Sequence, residues 1–256
     1  MSFFKPEAYV ARLEEVAKGN GWTIKYLTRC AAGTRPWLQR ASVLGPVAPS
    51  LYLSSGIHGD EISGPLALLR MLRDRSFFSD FNVTIFPILN PDGLAKNLRV
   101  NDDGIDLNRD YRNTKSVEIA SHIEALKTLG RFDAAMMLHE DYEGIGAYLF
   151  ELNDALPPHL GRDIIAAMGR HVPVDMRPEI DEFPAQGGVL NRRDIIQKMG
   201  PIEDRPEWPE AIYLTQNHTQ VSYTTETPKP FPLEQRVQAQ IAAVGALMDA
   251  LRNAAS

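Results

Sequence analysis

Short runs of strand character alternate with longer runs of helical spacing along most of this chain, and that alternation limits the fold more than any other feature. Strand-like runs cover residues 22–28, 37–44, 51–55, 83–89, 132–138, 147–152 and 221–225. Helical spacing covers 6–18, where Tyr9, Val10, Leu13, Val16 and Ala17 share a face, and also 62–72, 115–129, 157–168 and 233–251. Gly19-Asn20-Gly21 stops the first helix, Gly33 and Pro36 sit between the first two strands, and Asn90-Pro91-Asp92-Gly93 reads as a turn. The pattern predicts an α/β fold with a mixed, largely parallel central sheet covered by helices. One stretch breaks it. His171 to Trp208 carries five prolines and Gly187-Gly188, and reads as a long loop bordering the site. Repeats and linkers are lacking, so residues 1–256 read as a single domain.

Composition narrows the partners. At 44% hydrophobic and 23% charged residues, the chain has the make-up of a globular protein rather than a disordered one. A formal net charge of −6 argues against general affinity for nucleic acid or anionic lipid. No run approaches the ~18 apolar residues of a membrane helix. Met1 to Glu7 does not read as a secretory signal, and the lone Cys30, taken as inert core, suits a reducing compartment, so a cytoplasmic location is expected. With one cysteine, any metal must be held by histidines and carboxylates.

His58, His139 and Glu226 each follow a strand-like run. Ligands of open α/β sheets bind beyond the carboxyl ends of strands, so these three are expected to converge. A zinc hydrolase needs three protein ligands and one open position. His58 and Glu61, spaced His-x-x-Glu in a loop that Gly56 and Gly59 let turn sharply, can supply two. His139 is the best third ligand, with His218 its rival.

Five pieces in order resemble the zinc metallocarboxypeptidase family: Gly56-Ile-His-Gly-Asp-Glu61, Asn90-Pro-Asp-Gly93, Asp106-Leu-Asn-Arg-Asp110, His139 after an apolar strand, and Thr225-Glu-Thr-Pro228. The resemblance implies one zinc ion on His58, Glu61 and His139. It implies Asn108 and Arg109 on the substrate's terminal carboxylate, Arg99 as the oxyanion-stabilising arginine and Glu226 as catalytic base. The chemistry agrees: a planar guanidinium fork suits a carboxylate, and a carboxylate beside an activated water can carry its proton. Asp110 reads as a cap or as a partner of Arg109 or Arg112.

The family's mobile tyrosine has no clear counterpart, with Tyr213 and Tyr223 as candidate substrate-binding residues. Asn217, His218 and Gln220 hint at a polar side-chain pocket. Aspartoacylase and succinylglutamate desuccinylase form a related branch that shares the His-Gly-x-Glu and Asp-Leu-Asn-Arg pieces, whereas Asn90-Pro-Asp-Gly93 looks more like the carboxypeptidase side. The expected function is hydrolysis of an amide next to a free carboxylate, in a peptide or an acyl amino acid. The alternatives are an N-acyl amino acid deacylase and a non-catalytic metal- or carboxylate-binding module.

Overall fold

The computed structural model describes residues 4–153 and 160–254. Its centre is an eight-stranded sheet in the spatial order β1 (Thr23–Cys30), β2 (Gly33–Arg40), β4 (Asn82–Phe86), β3 (Ser50–Ser55), β5 (Ala134–Asp141), β10 (Val221–Pro228), β6 (Tyr148–Asn153) and β9 (Val189–Asn191). The block β4–β3–β5–β10 is parallel, as is β6–β9. Antiparallel pairs join β1 to β2, β2 to β4 and β10 to β6. This is the mixed, largely parallel sheet that the alternation predicts.

Strand parity sorts the two faces, because successive side chains point to opposite sides. Leu51 and Leu53 of β3 and Ala134, Met136 and Leu138 of β5 pack into one core, together with α1 (Pro6–Gly19), α2 (Ser63–Arg73), α5 (Gly161–Met168) and α8 (Leu233–Ala254). Tyr52 of β3 and Ala135 and Met137 of β5 enter the other core. There they meet α4 (Val117–Lys127), α6 (Arg192–Met199) and α7 (Glu210–Asn217). No described helix is long and apolar enough to cross a membrane.

Three local expectations are corrected. Gly33 and Pro36 lie inside β2, and the turn is tighter, at Ala31–Ala32. β4 pairs only with Leu38–Arg40, so Pro36 has a strand beside it only on the β1 side, where it faces Tyr26. Asn90-Pro-Asp-Gly93 is not a turn but the start of helix α3 (Pro91–Lys96): Pro91 begins it and the Asn90 side chain accepts the Gly93 N–H. Residues 171–208 are not one loop. They hold the hairpin β7 (Glu179–Ile180) and β8 (Phe183–Pro184), then β9, α6 and a 3₁₀ turn at Ile202–Asp204. The predicted helix 157–168 begins outside the described residues, as does His159, and is seen from Gly161 onward.

Candidate active site

The loop from β3 into α2 carries His58 and Glu61, and two glycines shape it for different reasons. Gly56 has a φ of +61°, which disfavours any residue with a side chain. Gly59 instead needs space: a Cβ there would fall 2.0 Å from the Gly93 backbone carbon. The loop thus presses directly on α3. Gly59 N–H donates to Arg99 O (3.3 Å), and Asn90 Nδ2 donates to Ile57 O (3.2 Å), so this loop, α3 and Arg99 are one unit.

β5 and β10 bring in the rest. His139 and Glu226 are direct partners in the parallel register and share a face with Met137 and Thr224. From the opposite face, Gln240 of α8 donates to the His139 carbonyl at 2.8 Å. His58 Nδ1 lies 2.6 Å from Glu61 Oε1 and 3.2 Å from His139 Nδ1, which lies 3.0 Å from Glu61 Oε2. All three side chains are buried. Glu61 Oε2 meets no donor in hydrogen-bonding geometry. Burial would raise the Glu61 carboxyl, but the two imidazoles hold it well below the usual range.

These residues fit a divalent cation. Ligands about 2.0–2.1 Å from a tetrahedral ion stand roughly 3.3 Å from one another, close to the spacing here. Two imidazoles and a carboxylate are a donor set that zinc accepts, and a cation would satisfy the orphaned Oε2.

Asp106 ties this cluster to the second half of the site. Its Oδ1 lies 3.3 Å from His58 Nε2 and accepts the Asn108 N–H at 2.9 Å. Its Oδ2 accepts Arg99 Nε at 3.0 Å. Burial opposes ionisation, yet His58, Arg99 and Arg109 hold this carboxyl well below its usual range. The 3₁₀ turn Leu107–Arg109 then places Asn108 and Arg109 along the same cavity as Arg99 and Glu226. Asp110 is a cap: it accepts from Lys115 N, Ser116 N and Ser116 Oγ at the start of α4.

The cavity measures about 360 Å³. That volume falls in the range of small-molecule sites. Burial pushes the Glu226 carboxyl up to about 8; His139 opposes this, and the charges of Glu61 and Asp141 add to it.

The structure gathers His58, Glu61, Arg99, Asn108, Arg109, His139 and Glu226 around one cavity. It does not bring Tyr213, Tyr223 or His218 there. Tyr223 is 0% exposed on the opposite face of β10, because its parity is odd relative to Glu226. Tyr213 packs between Tyr111 and His218 with its ring tilted against both, and His218 packs near Phe132 and Gly130. The tyrosines at the cavity are Tyr142, which is 71% exposed, and Tyr148, whose hydroxyl donates to Asp141. The expected polar lining is also corrected. Asn217 and Gln220 lie outside the cavity, whose inner wall is apolar and formed by Met137, Leu152, Ile195, Ile202, Ala211 and Ile212. Sequence reasoning missed Arg205, which Arg112 fixes by donating to the Glu203 and Arg205 carbonyls, and Glu210 at the start of α7. Neither stands in a motif. Cys30, read as inert core, is half-buried, with Sγ 3.8 Å from Glu118 Oε1, and burial pushes its thiol up to about 12.

Solved structures share this fold over nearly the whole chain. A protein of Shewanella denitrificans OS217, provisionally classed as a metallopeptidase, superposes with a TM-score of 0.81 at 25% identity, covering 95% of this chain and 89% of that one. A counterpart from Shewanella amazonensis SB2B gives 0.79 at 25% identity, covering 96% and 92%. Carboxypeptidase A from Helicoverpa armigera gives 0.68 at 17% identity, covering 99% and 74%, a likeness of fold alone. No curated protein matches the chain by sequence. The sequence model of the succinylglutamate desuccinylase/aspartoacylase catalytic domain matches residues 47–182, more than half of the chain, from before the His58 loop to beyond His139. The chain therefore belongs to the succinylglutamate desuccinylase/aspartoacylase family, within the metallocarboxypeptidase-like hydrolases.

Proposed function

We propose that this protein is a metal-dependent hydrolase that cleaves an amide bond next to a free carboxylate, most simply as a metallocarboxypeptidase. The observation that carries the reading is the pairing of Glu226 with His139 on one face of adjacent strands. It sets a carboxylate beside the His58–Glu61–His139 cluster, with Asn108 and Arg109 in the same cavity.

His58, Glu61 and His139 are the residues that would hold the ion. A zinc ion there would supply Lewis acidity, would lower the pKa of a water towards about 7 and would favour the ionised form of Glu226. Glu226 takes the proton of the attacking water and returns it to the leaving nitrogen. Arg99, anchored through Nε to Asp106, offers positive charge to the oxygen that becomes negative. Arg109 and Asn108 receive the substrate carboxylate and so fix where the carbonyl lies. The Asn108 Oδ1 is already taken by the Glu210 N–H at 2.9 Å, which leaves its Nδ2 as donor to the substrate.

The family match favours a second form of the same reaction, removal of an acyl group from an N-acyl amino acid. Both forms place the carboxylate and the leaving nitrogen alike and differ in what precedes the carbonyl. Assay of N-acyl dipeptides against N-acyl amino acids separates them. Amidating the substrate carboxylate should abolish turnover in either case. Glu226→Gln should lose about 10²-fold or more in kcat while retaining one bound metal per chain, and near-normal turnover in that variant removes Glu226 from the role of base.

A further inference from the structure

Among the described residues, a second group of ligand-type side chains converges outside the cavity. Cys30 ends β1, Asp92 lies in α3 and Glu118 in α4. These elements are far apart in sequence, yet Cys30 Sγ and one oxygen of each carboxylate all lie within 4.8 Å of one another. Asp92 and Glu118 are 5% and 4% exposed, and Cys30 is half-buried, so the sulfur is the accessible member.

The fold accounts for part of this group. Asp92 Oδ1 accepts the Ala32 N–H and ties the β1–β2 turn to α3. Glu118 Oε1 accepts from Asn101 Nδ2 at 3.3 Å and lies 3.8 Å from Cys30 Sγ. Glu118 Oε2 is left over: it is buried and meets no hydrogen-bond partner among the described residues. A carboxylate oxygen so placed costs stability, and an acid serving only the helix dipole could stay exposed. The neighbouring guanidinium does not serve that oxygen. Arg35 donates to the Leu89, Thr28 and Glu118 carbonyls and to Ser121 Oγ. Its charge acts on the sulfur and favours the thiolate, against burial and the two carboxylates, which push the thiol up.

The donor set decides the ligand. A thiolate with two carboxylates suits a borderline-soft divalent ion such as zinc, which accepts sulfur and oxygen together, rather than magnesium or calcium, which take oxygen. The ion's charge together with that of Arg35 offsets the charges of the thiolate and the two carboxylates. Sulfur ligation needs the thiolate, so binding releases the Cys30 proton to solvent. We infer that Cys30, Asp92 and Glu118 form a second divalent-metal site, suited to zinc-like ions, that fastens the β1–β2 hairpin to α3 and α4. Cys30 is then not inert. The clamp bears on the active site because the His58 loop presses on α3 at Gly59, but it does not depend on the proposed hydrolysis.

The experiment titrates the reduced, metal-free protein with Co2+ and follows its near-ultraviolet absorption. The chain has one cysteine, so a thiolate-to-cobalt charge-transfer band reports this site alone, whatever the ion does at His58, Glu61 and His139. The band should saturate at one ion per chain, vanish when Zn2+ displaces the cobalt and be absent in Cys30→Ser. Glu118→Gln should weaken the affinity about tenfold or more, since losing a ligand costs at least what losing an outer partner does. A second measurement needs no variant: urea should abolish the band in the native sequence, because the three ligands come from separate elements. No band in the folded protein overturns the inference and leaves the orphaned oxygen to a buried water. A band of equal strength in urea, or undiminished affinity in Glu118→Gln, also overturns it, since either means an adventitious ion only, held by the sulfur. A protein that shows the band but cleaves no amide loses the proposed function and keeps this site. One that hydrolyses amides without the band keeps the function and loses the site.

Discussion

Asp106 touches both halves of the site through its side chain. One oxygen faces His58 Nε2 and caps the Asn108 N–H, while the other holds Arg99 Nε. A carboxylate behind a ligating imidazole fixes the ring and raises its basicity. Asp106→Asn keeps the size and removes the charge. Its metal affinity should fall about 10–100-fold, as read by competition against a chromogenic chelator, and kcat/KM should fall with it because Arg99 loses its anchor. Unchanged metal affinity would show that His58 does not depend on Asp106. This role was only half legible. Asp106-Leu-Asn-Arg109 is visible as a motif, but nothing in linear order says that its first residue reaches back to His58.

At the scale of elements, the site is a packing of the His58 loop on α3 and of β5 on β10. The glycines of the loop were legible as glycines, but the reason for Gly59 was not, because only the folded chain shows α3 pressed against it. Gly59→Ala forces its Cβ into the Gly93 backbone and should destabilise the protein by about 1–3 kcal/mol, a clear drop in melting temperature with weakened metal retention. Gly130→Ala, where a Cβ meets nothing within 4 Å, serves as the control and should melt close to wild type. Equal melting of the two variants would mean that the loop yields freely. His139 and Glu226 were legible for a simpler reason: strand character locates them, and period-two alternation turns both to one face. Residues 171–208 were not, because two- and three-residue strands and an eight-residue helix are too short to show a period, and prolines mask what remains. Arg205 lies inside that stretch and Glu210 just beyond it, and neither stands in a motif.

Across the whole molecule, one buried polar chain joins the sheet to the helices behind the cavity. It runs from Glu210 of α7 to Tyr52 of β3, His122 of α4 and Tyr111. Tyr52 donates its hydroxyl hydrogen to Glu210, so it accepts at His122 from an Nε2–H, and Nδ1 of the neutral ring accepts from Tyr111. A second proton would displace that last bond. Burial, aided by the charges of Arg35 and His218, lowers the His122 pKa well below 6.5. The sign follows by linkage. Below pH 6.5 the unfolded chain binds a proton at His122 that the folded protein refuses, so this group's contribution is complete above pH 6.5 and is lost as pH falls towards the depressed folded value. The slope attributable to His122 approaches about 1.4 kcal/mol per pH unit. Urea denaturation of the metal-free protein between pH 7.5 and pH 5 should show it as a fall in stability that is shallower in His122→Gln. That variant should be less stable than wild type at pH 7.5, with the gap narrowing as the solution is acidified. Parallel stability curves for the two proteins would mean that the ring accepts its second proton in the folded state, with Nδ1–H then donating to the Tyr111 hydroxyl.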